Sequence, residues 1–287
     1  MRGLAEYAMS GRLQAATIAI LFGLIPGFGI ISGAVVALVI LRRGIKDGAQ
    51  ILLWALLPAG LQWELGDPGL VLMLLGVVAA SLVLRHGRSW QLAILLIMVS
   101  GVLQQLSLPW QTGYLAKVQH AVSSLQSNGF PMQGVTDGKT VTISPQQLMD
   151  TLLKYYGVSQ MLLILASLLL GRYWQAHLYN PGGFRQEFHN LRFDWRLMVV
   201  LAGLTGASAF GVAPLSDWLL IVCLAPILEA LAVIHKVVAH RNMGTAWLVL
   251  AYMLLFMPFA ALVYVLLGFT DSLFDIRKRF AADIPGS

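Results

Sequence analysis

The chain has 287 residues, of which 58% are hydrophobic and only 11% charged, with a mean hydropathy of +0.76. Soluble domains carry about 25% charged residues, so composition argues against a soluble enzyme or binding module and places most of the chain in lipid. The formal net charge of +6 need not signal nucleic acid, and no nucleic-acid partner is expected, because membrane proteins concentrate Lys and Arg in cytoplasmic loops.

The first apolar run, Leu13 to Leu41, exceeds the ~20 residues that one untilted span needs. Ile25-Pro26-Gly27 interrupts it, since proline removes a helix hydrogen bond and glycine relaxes the backbone. Two short helices, 13–25 and 28–41, joined in a tight hairpin are expected. One long helix unwound at its middle is the alternative. Gly23, Gly27, Gly29 and Gly33 let helices approach closely. Further apolar segments are read at 48–63, 69–84 and 90–108. Trp90 and Trp110 flank the last, at positions suited to the two membrane interfaces.

Residues 109–155 form the sizeable extramembrane piece. Leu115, Val118, Val122 and Leu125 recur at helical spacing, which predicts an amphipathic helix over 113–127. A short strand is expected at Thr140–Ile143. Ser144 then caps a helix with Pro145 in its first turn, and this helix is expected to run through Tyr155-Tyr156 into a segment at 157–177. A polar stretch from Gly171 to Asp194 follows, and segments at 196–213, 216–238 and 245–269 close the chain. The expected fold is all-α: a polytopic membrane protein with eight or nine membrane helices. It is read as one membrane domain, made of 1–108 with the broken hairpin, an extracytoplasmic region 109–156, and 157–287 with the loop 171–196. Cys223 lies in an apolar segment and reads as a small packed hydrophobe. The first apolar run leads straight into others and is not read as a cleavable signal peptide.

The loops at 42–46, 85–88, 171–196 and 236–241 hold eleven of the nineteen Lys and Arg, and region 109–155 holds three. The basic loops are therefore expected in the cytoplasm and 109–155 outside, across a bacterial inner membrane. Nine crossings would leave Arg277-Lys278-Arg279 outside. Either the last segment turns back at Met257-Pro258 or the tail is an exception to the charge rule; we take the exception.

No Walker loop, HExxH pair or Cys-His metal spacing is present. No serine is joined by a His and an Asp in a recognisable order. Enzyme activity, cofactor and metal are not expected. Glu229 is the sharpest single residue, near the centre of APILEALAVIHK. A carboxylate in mid-membrane costs about 2.5–3.5 kcal/mol and should face protein or water. Ala225 and Ala232 leave room beside it for another helix, and Lys236 on the same face can offset its charge. It is either a ligand- or proton-binding group or a structural contact between helices. Trp63, Glu64 and Asp67 end one segment on the outer side, as Gln104, Gln105 and Trp110 end another. Together they can line an outward pocket, with rings to stack a ligand and amides to orient it; interfacial capping is the alternative. Tyr173-Trp174 read as interface anchors. Arg172, and Asn180-Pro181-Gly182-Gly183 followed by Phe184-Arg185, combine cations, a turn and an apolar anchor that suit a cytoplasmic or membrane protein partner.

Three stretches, SGAVVALVILRRG, GRYWQAHLYNPGGFRQEF and LLGFTDSLFDIRKR, resemble the YybS-like family of uncharacterised bacterial membrane proteins. More distantly, the short first helix, Pro/Gly turn and second helix resemble the substrate-binding subunits of energy-coupling-factor vitamin transporters. That resemblance implies a bundle of the first six helices around a small-molecule site, with energy supplied by partner proteins. It also implies partner contact through an Ala-xxx-Ala pattern, which Ala15 and Ala19 match. The helices after residue 195 depart from the six-helix pattern. A membrane scaffold recruiting a cytoplasmic partner through 171–196 is therefore the alternative to small-molecule binding or transport.

Overall fold

The computed structural model describes residues 2–87, 89–130, 133–136, 139–213 and 215–278. Helix α1 spans Arg2–Ser10, α2 Arg12–Leu24, α3 Gly29–Arg43, α4 Ile45–Glu64, α5 Gly69–Gly87 and α6 Trp90–Ser107. After α7 (Thr112–Ser127) come strands β1 (Gln133–Thr136) and β2 (Lys139–Thr142), then α8 (Pro145–Lys154) and α9 (Tyr156–Tyr179). The chain continues through α10 (Gly183–His189), α11 (Trp195–Ala209), α12 (Leu219–Val222), α13 (Leu224–His240), α14 (Ala246–Leu255) and α15 (Pro258–Phe274). The strands pair antiparallel, Gln133 opposite Thr142 and Thr136 opposite Lys139. The fold is otherwise helical.

Among the described residues, four helical stretches are long and apolar enough to cross a membrane: Gly69–Gly87, Trp90–Trp110, Tyr156–Tyr179 and Leu215–His240. Helices α14 and α15 make a fifth only if taken together, and they bend by 107° at their break. The single span expected over 245–269 is thus two helices. A proline at 258 offers no N–H to extend α14 but suits the first turn of α15. Helices α2 and α3, with 13 and 15 residues, reach about 20 and 22 Å, against a hydrocarbon core of about 30 Å.

The chain divides into two compact units. Unit 1 comprises Met1–Gly87 and Val99–Gln175, and unit 2 comprises Arg88–Met98 and Ala176–Ser287.

Unit 1 is built around α3, whose residues from Ser32 to Leu41 are all buried. A helix apolar on every face belongs inside protein. The last carbonyls of a helix lack intrahelical donors. Here Arg85 Nη1 donates to Ile40 O at 3.1 Å and Leu41 O at 2.6 Å, and Gln175 Nε2 donates to Leu41 O at 3.1 Å. Gly171 brings α9 onto α3, since a Cβ there would lie 2.7 Å from Ala37 Cβ and 2.8 Å from Ala34 O. Trp174, one helical turn on, is buried and is not an interface anchor. Between α2 and α3 the chain leaves helical geometry, with Gly27 at φ +83°. On α7, Val118 and Val122 turn inward while Leu125 is exposed. Ser144 and Gln147 form a reciprocal capping box at the start of α8. That helix does not run on into α9. It ends at Lys154, and Gln105 bridges the break, donating to Leu153 O at 3.1 Å and accepting from Gly157 N–H at 2.6 Å.

In unit 2, α15 packs on α13, with Gly268 directly over the Pro226 carbonyl. An aromatic cluster surrounds α10. Trp90 Nε1 donates to Glu187 Oε2 at 3.1 Å, Phe184 lies 6.2 Å from Trp90, and Phe188 meets His235 edge-on at 5.1 Å. Burial, with Arg185 next in effect, pushes the His189 imidazole below the ordinary histidine range. Cys223 is buried with a free thiol.

Candidate functional site

The polar chemistry of unit 1 gathers where α4 hands over to α5. Helix α4 ends in a Schellman turn: Gly66 N–H donates to Trp63 O at 2.7 Å and Asp67 N–H to Gln62 O at 3.0 Å, with Gly66 at φ +78°. The turn is pinned from α7 by Gly113 N–H, which donates to Gly66 O at 2.9 Å. It delivers Asp67, 9% exposed, to the start of α5. There Asp67 Oδ1 accepts from Gly69 N–H at 3.1 Å and Oδ2 from Lys117 Nζ at 2.8 Å. Burial, then the Asp67 charge, pushes the Tyr114 phenol above its ordinary range. Its hydroxyl therefore remains a neutral donor at physiological pH.

Beside this turn lies a cavity of about 160 Å³, bounded by the α2–α3 hairpin, Gln62, Asp67, Leu70, Met73, Tyr114, Gln160 and Leu163. Gln62 is tied to the hairpin through Gly23 O at 3.3 Å. Gln160 is 9% exposed, and its Oε1 has no hydrogen-bond partner. One turn earlier on α9, the Tyr156 hydroxyl donates to Gln111 Oε1 at 2.6 Å, and its ring lies 4.5 Å from that of Tyr114. The walls are apolar at Pro26, Ile30, Met73 and Leu163, and polar at Asp67, Tyr114 and Gln160. A buried acceptor with no donor costs about 1–3 kcal/mol, and Gln160 Oε1 is one.

A shallower cleft of about 470 Å³ uses the other side of the same turn. It brings together Trp63, Glu64 and Trp110, as their positions at segment ends suggested, and adds Thr112 and Gly113. The paired glutamines do not share it. Gln105 clamps the α8–α9 break, while Gln104 is 4% exposed with neither amide atom partnered. Sequence reasoning missed Gln160, Gln111, Tyr114 and Tyr156. The readable signal was Tyr156 and Gln160 one turn apart at the start of a largely apolar helix.

Glu229 belongs to unit 2 and has a different setting. Its Oε2 accepts from Phe193 N–H at 3.0 Å, two residues before α11 begins. It is therefore level with the start of α11. Its cationic partner is Arg277, Nη2 at 3.7 Å from Oε1, in place of the expected Lys236. Arg277 also binds Asp271 through Nε at 2.8 Å, and donates to His189 O at 2.8 Å and Leu191 O. Glu229 and Asp271 are fully buried and Arg277 is 6% exposed. Ser272 Oγ donates to Phe193 O at 2.8 Å, and Arg192 reaches Asp275 at 2.7 Å. A hydrogen bond from Lys278 leads the effects that hold the Asp275 carboxyl below its ordinary range. The group fastens the residues after α15 onto the 189–193 segment.

Of the proposed partner-binding residues, Ala15 and Ala19 are 1% and 0% exposed. The pair packs inside unit 1 and offers no surface. Arg172, also in unit 1, donates to Gln175 Oε1 at 2.7 Å. In unit 2, Asn180 and Arg185 are exposed, while Phe184 is partly enclosed by Trp90 and Phe188. No protein family, curated protein or solved structure matches the chain.

Proposed function

We propose that this chain is a multi-pass protein of the bacterial inner membrane that binds a small solute in unit 1, as a binding or transport component without its own energy-coupling site. The observation that carries the reading is Gln160, which lines a cavity together with Asp67 and Tyr114 and whose buried amide oxygen has no donor. A cavity of about 150 Å³ admits benzene, so the 160 Å³ here suits a single ring. Apolar walls favour a flat, uncharged ring, and Gln160 Oε1 calls for an N–H or O–H on it. Asp67 already has Lys117 as its counter-ion, which disfavours a cationic solute. The exposed Trp63 and Trp110 at the outer cleft would receive the solute first.

A thermal-shift panel of single-ring heterocycles on the purified protein tests this. A binding ring at one hundred times its Kd adds about 2.7 kcal/mol of stability. Gln160→Leu, which removes the acceptor at similar volume, is expected to abolish that gain while the solute-free protein melts near wild type. A panel in which no ring stabilises the protein, or a Leu variant with an undiminished gain, would count against the site.

We further propose eight crossings, with α4 and the shorter α2, α3 and α11 included. The α14–α15 pair is then a bent excursion that enters and leaves on one side. Arg277 bonds to His189 O and Leu191 O, so the tail shares a side with 171–196, and the basic residues after α15 cease to violate the charge rule. Single cysteines at Gln186 and Lys278 are expected to resist an impermeant thiol reagent on intact cells, while one at Ser127 reacts. Labelling at 278 without labelling at 186 would refute the excursion. The scaffold alternative rests on Asn180 and Arg185, which stay exposed on a segment that Arg277 holds in place.

A further inference from the structure

The opposite end of unit 1 from the solute cavity carries a second concavity with different chemistry. A groove of about 540 Å³ runs between the start of α2 and the first half of α4, lined by Arg12, Leu13, Gln50, Trp54 and Leu57. Its walls are apolar and open to the outside: Leu13 is 78% exposed, Trp54 49% and Leu57 54%. Lys46, Gln50, Trp54 and Leu57 follow one another at helical spacing along a single face of α4. From Gln50 to Leu57 that face is about 10 Å long, enough for the upper methylenes of one acyl chain.

The mouth of the groove is cationic. Arg12 is held there by Asp47 at 2.7 Å, with its side chain 62% exposed. A guanidinium has five donors in a planar fork, and the pairing with Asp47 uses one nitrogen. Lys46 is exposed one turn beyond Gln50, and Arg42 and Arg43 end α3 beside it. Arg12 and Lys46 thus lie toward this end with Arg42 and Arg43 close in sequence, Arg12 pairing with Asp47 and Arg43 donating to Met9 O at 2.7 Å. A flat apolar groove with a basic collar at one end matches an amphiphile with an apolar chain and a negative head.

We infer that this groove is a binding site for one anionic phospholipid, its chain along Trp54 and Leu57 and its phosphate on Arg12 and Lys46. Soluble phosphate alone would forgo the chain contact, and a zwitterionic lipid would forgo most of the charge contact.

The full-length protein in mixed micelles, read by native mass spectrometry, tests the inference with phosphatidylglycerol and phosphatidylcholine of identical chains, and with glycerol phosphate as the chainless head. Each basic residue near a headgroup changes affinity by about fivefold. Phosphatidylglycerol is expected to be retained at least tenfold better than phosphatidylcholine, and glycerol phosphate not at all. Lys46→Gln, an exposed change that leaves the Arg12–Asp47 pair intact, should cut the preference about fivefold, and Arg12→Gln with Lys46→Gln should erase it. Leu57→Ser should weaken retention of both lipids and leave their ratio unchanged. Equal retention of the two lipids by wild type, a preference that survives the double change, or glycerol phosphate binding as well as the lipid would each overturn the proposal.

Discussion

Arg277→Leu should destabilise unit 2 by about 3–5 kcal/mol, the cost of leaving a buried charge without its partner. Two carboxylates, Glu229 and Asp271, face this one guanidinium, and all three side chains are at most 6% exposed. The leucine would also orphan the carbonyls of His189 and Leu191, which now accept from Arg277. Lys278→Ala is the internal control. Its pair with Asp275 involves a lysine side chain 83% exposed, and exposed pairs contribute about 0–1 kcal/mol. Glu229→Gln should fall between them, because an amide oxygen still accepts from Phe193 N–H while one of two like charges disappears. Denaturant unfolding in detergent ranks the three. If Arg277→Leu were as mild as Lys278→Ala, the charge group would not be what secures the 189–193 segment.

Gly268→Ala should lose several kcal/mol as well, for a steric reason. A Cβ at that position would lie 2.0 Å from Pro226 O and 2.6 Å from its carbonyl carbon. Overpacking usually costs about 1–3 kcal/mol when side chains can yield, but a backbone carbonyl on α13 cannot rotate aside, so α15 must separate from it. Gly203→Ala reverses the sign. Nothing lies within 4 Å of a Cβ there, and alanine in a helix is worth up to about 1 kcal/mol over glycine. Thermal unfolding of the two variants should therefore move in opposite directions.

The two cases show which features of this chain could be read in advance. Local backbone chemistry was legible: Pro26-Gly27 marked the end of α2, and Ser144 with Pro145 marked the start of α8. The break in the last apolar segment was not. Hydropathy alone treats 245–269 as one apolar run and cannot register a 107° bend. Glu229 was conspicuous as a charge in an apolar segment, but its partner lies 48 residues on, past α15, while Lys236 seven residues away looked nearer. The same limit hid the solute cavity. Asp67, Tyr114 and Gln160 come from three elements, and no local pattern joins them. The quoted stretches GRYWQAHLYNPGGFRQEF and LLGFTDSLFDIRKR, set far apart in sequence, run into the two segments that Arg277, Ser272 and Arg192 tie together. Trp63, Glu64 and Trp110 were grouped by their positions at segment ends, and one cleft holds them.

A density map of the full chain in a lipid nanodisc, purified without added solute and then with the best ring from the thermal-shift panel, tests the central claim most directly. The expected result is a flat density between Pro26, Met73 and Tyr114, with a donor within about 3.2 Å of Gln160 Oε1, present with the ring and lost in Gln160→Leu. A cavity closed by its own side chains, or filled by a lipid chain that ignores Gln160, would contradict a solute site in unit 1.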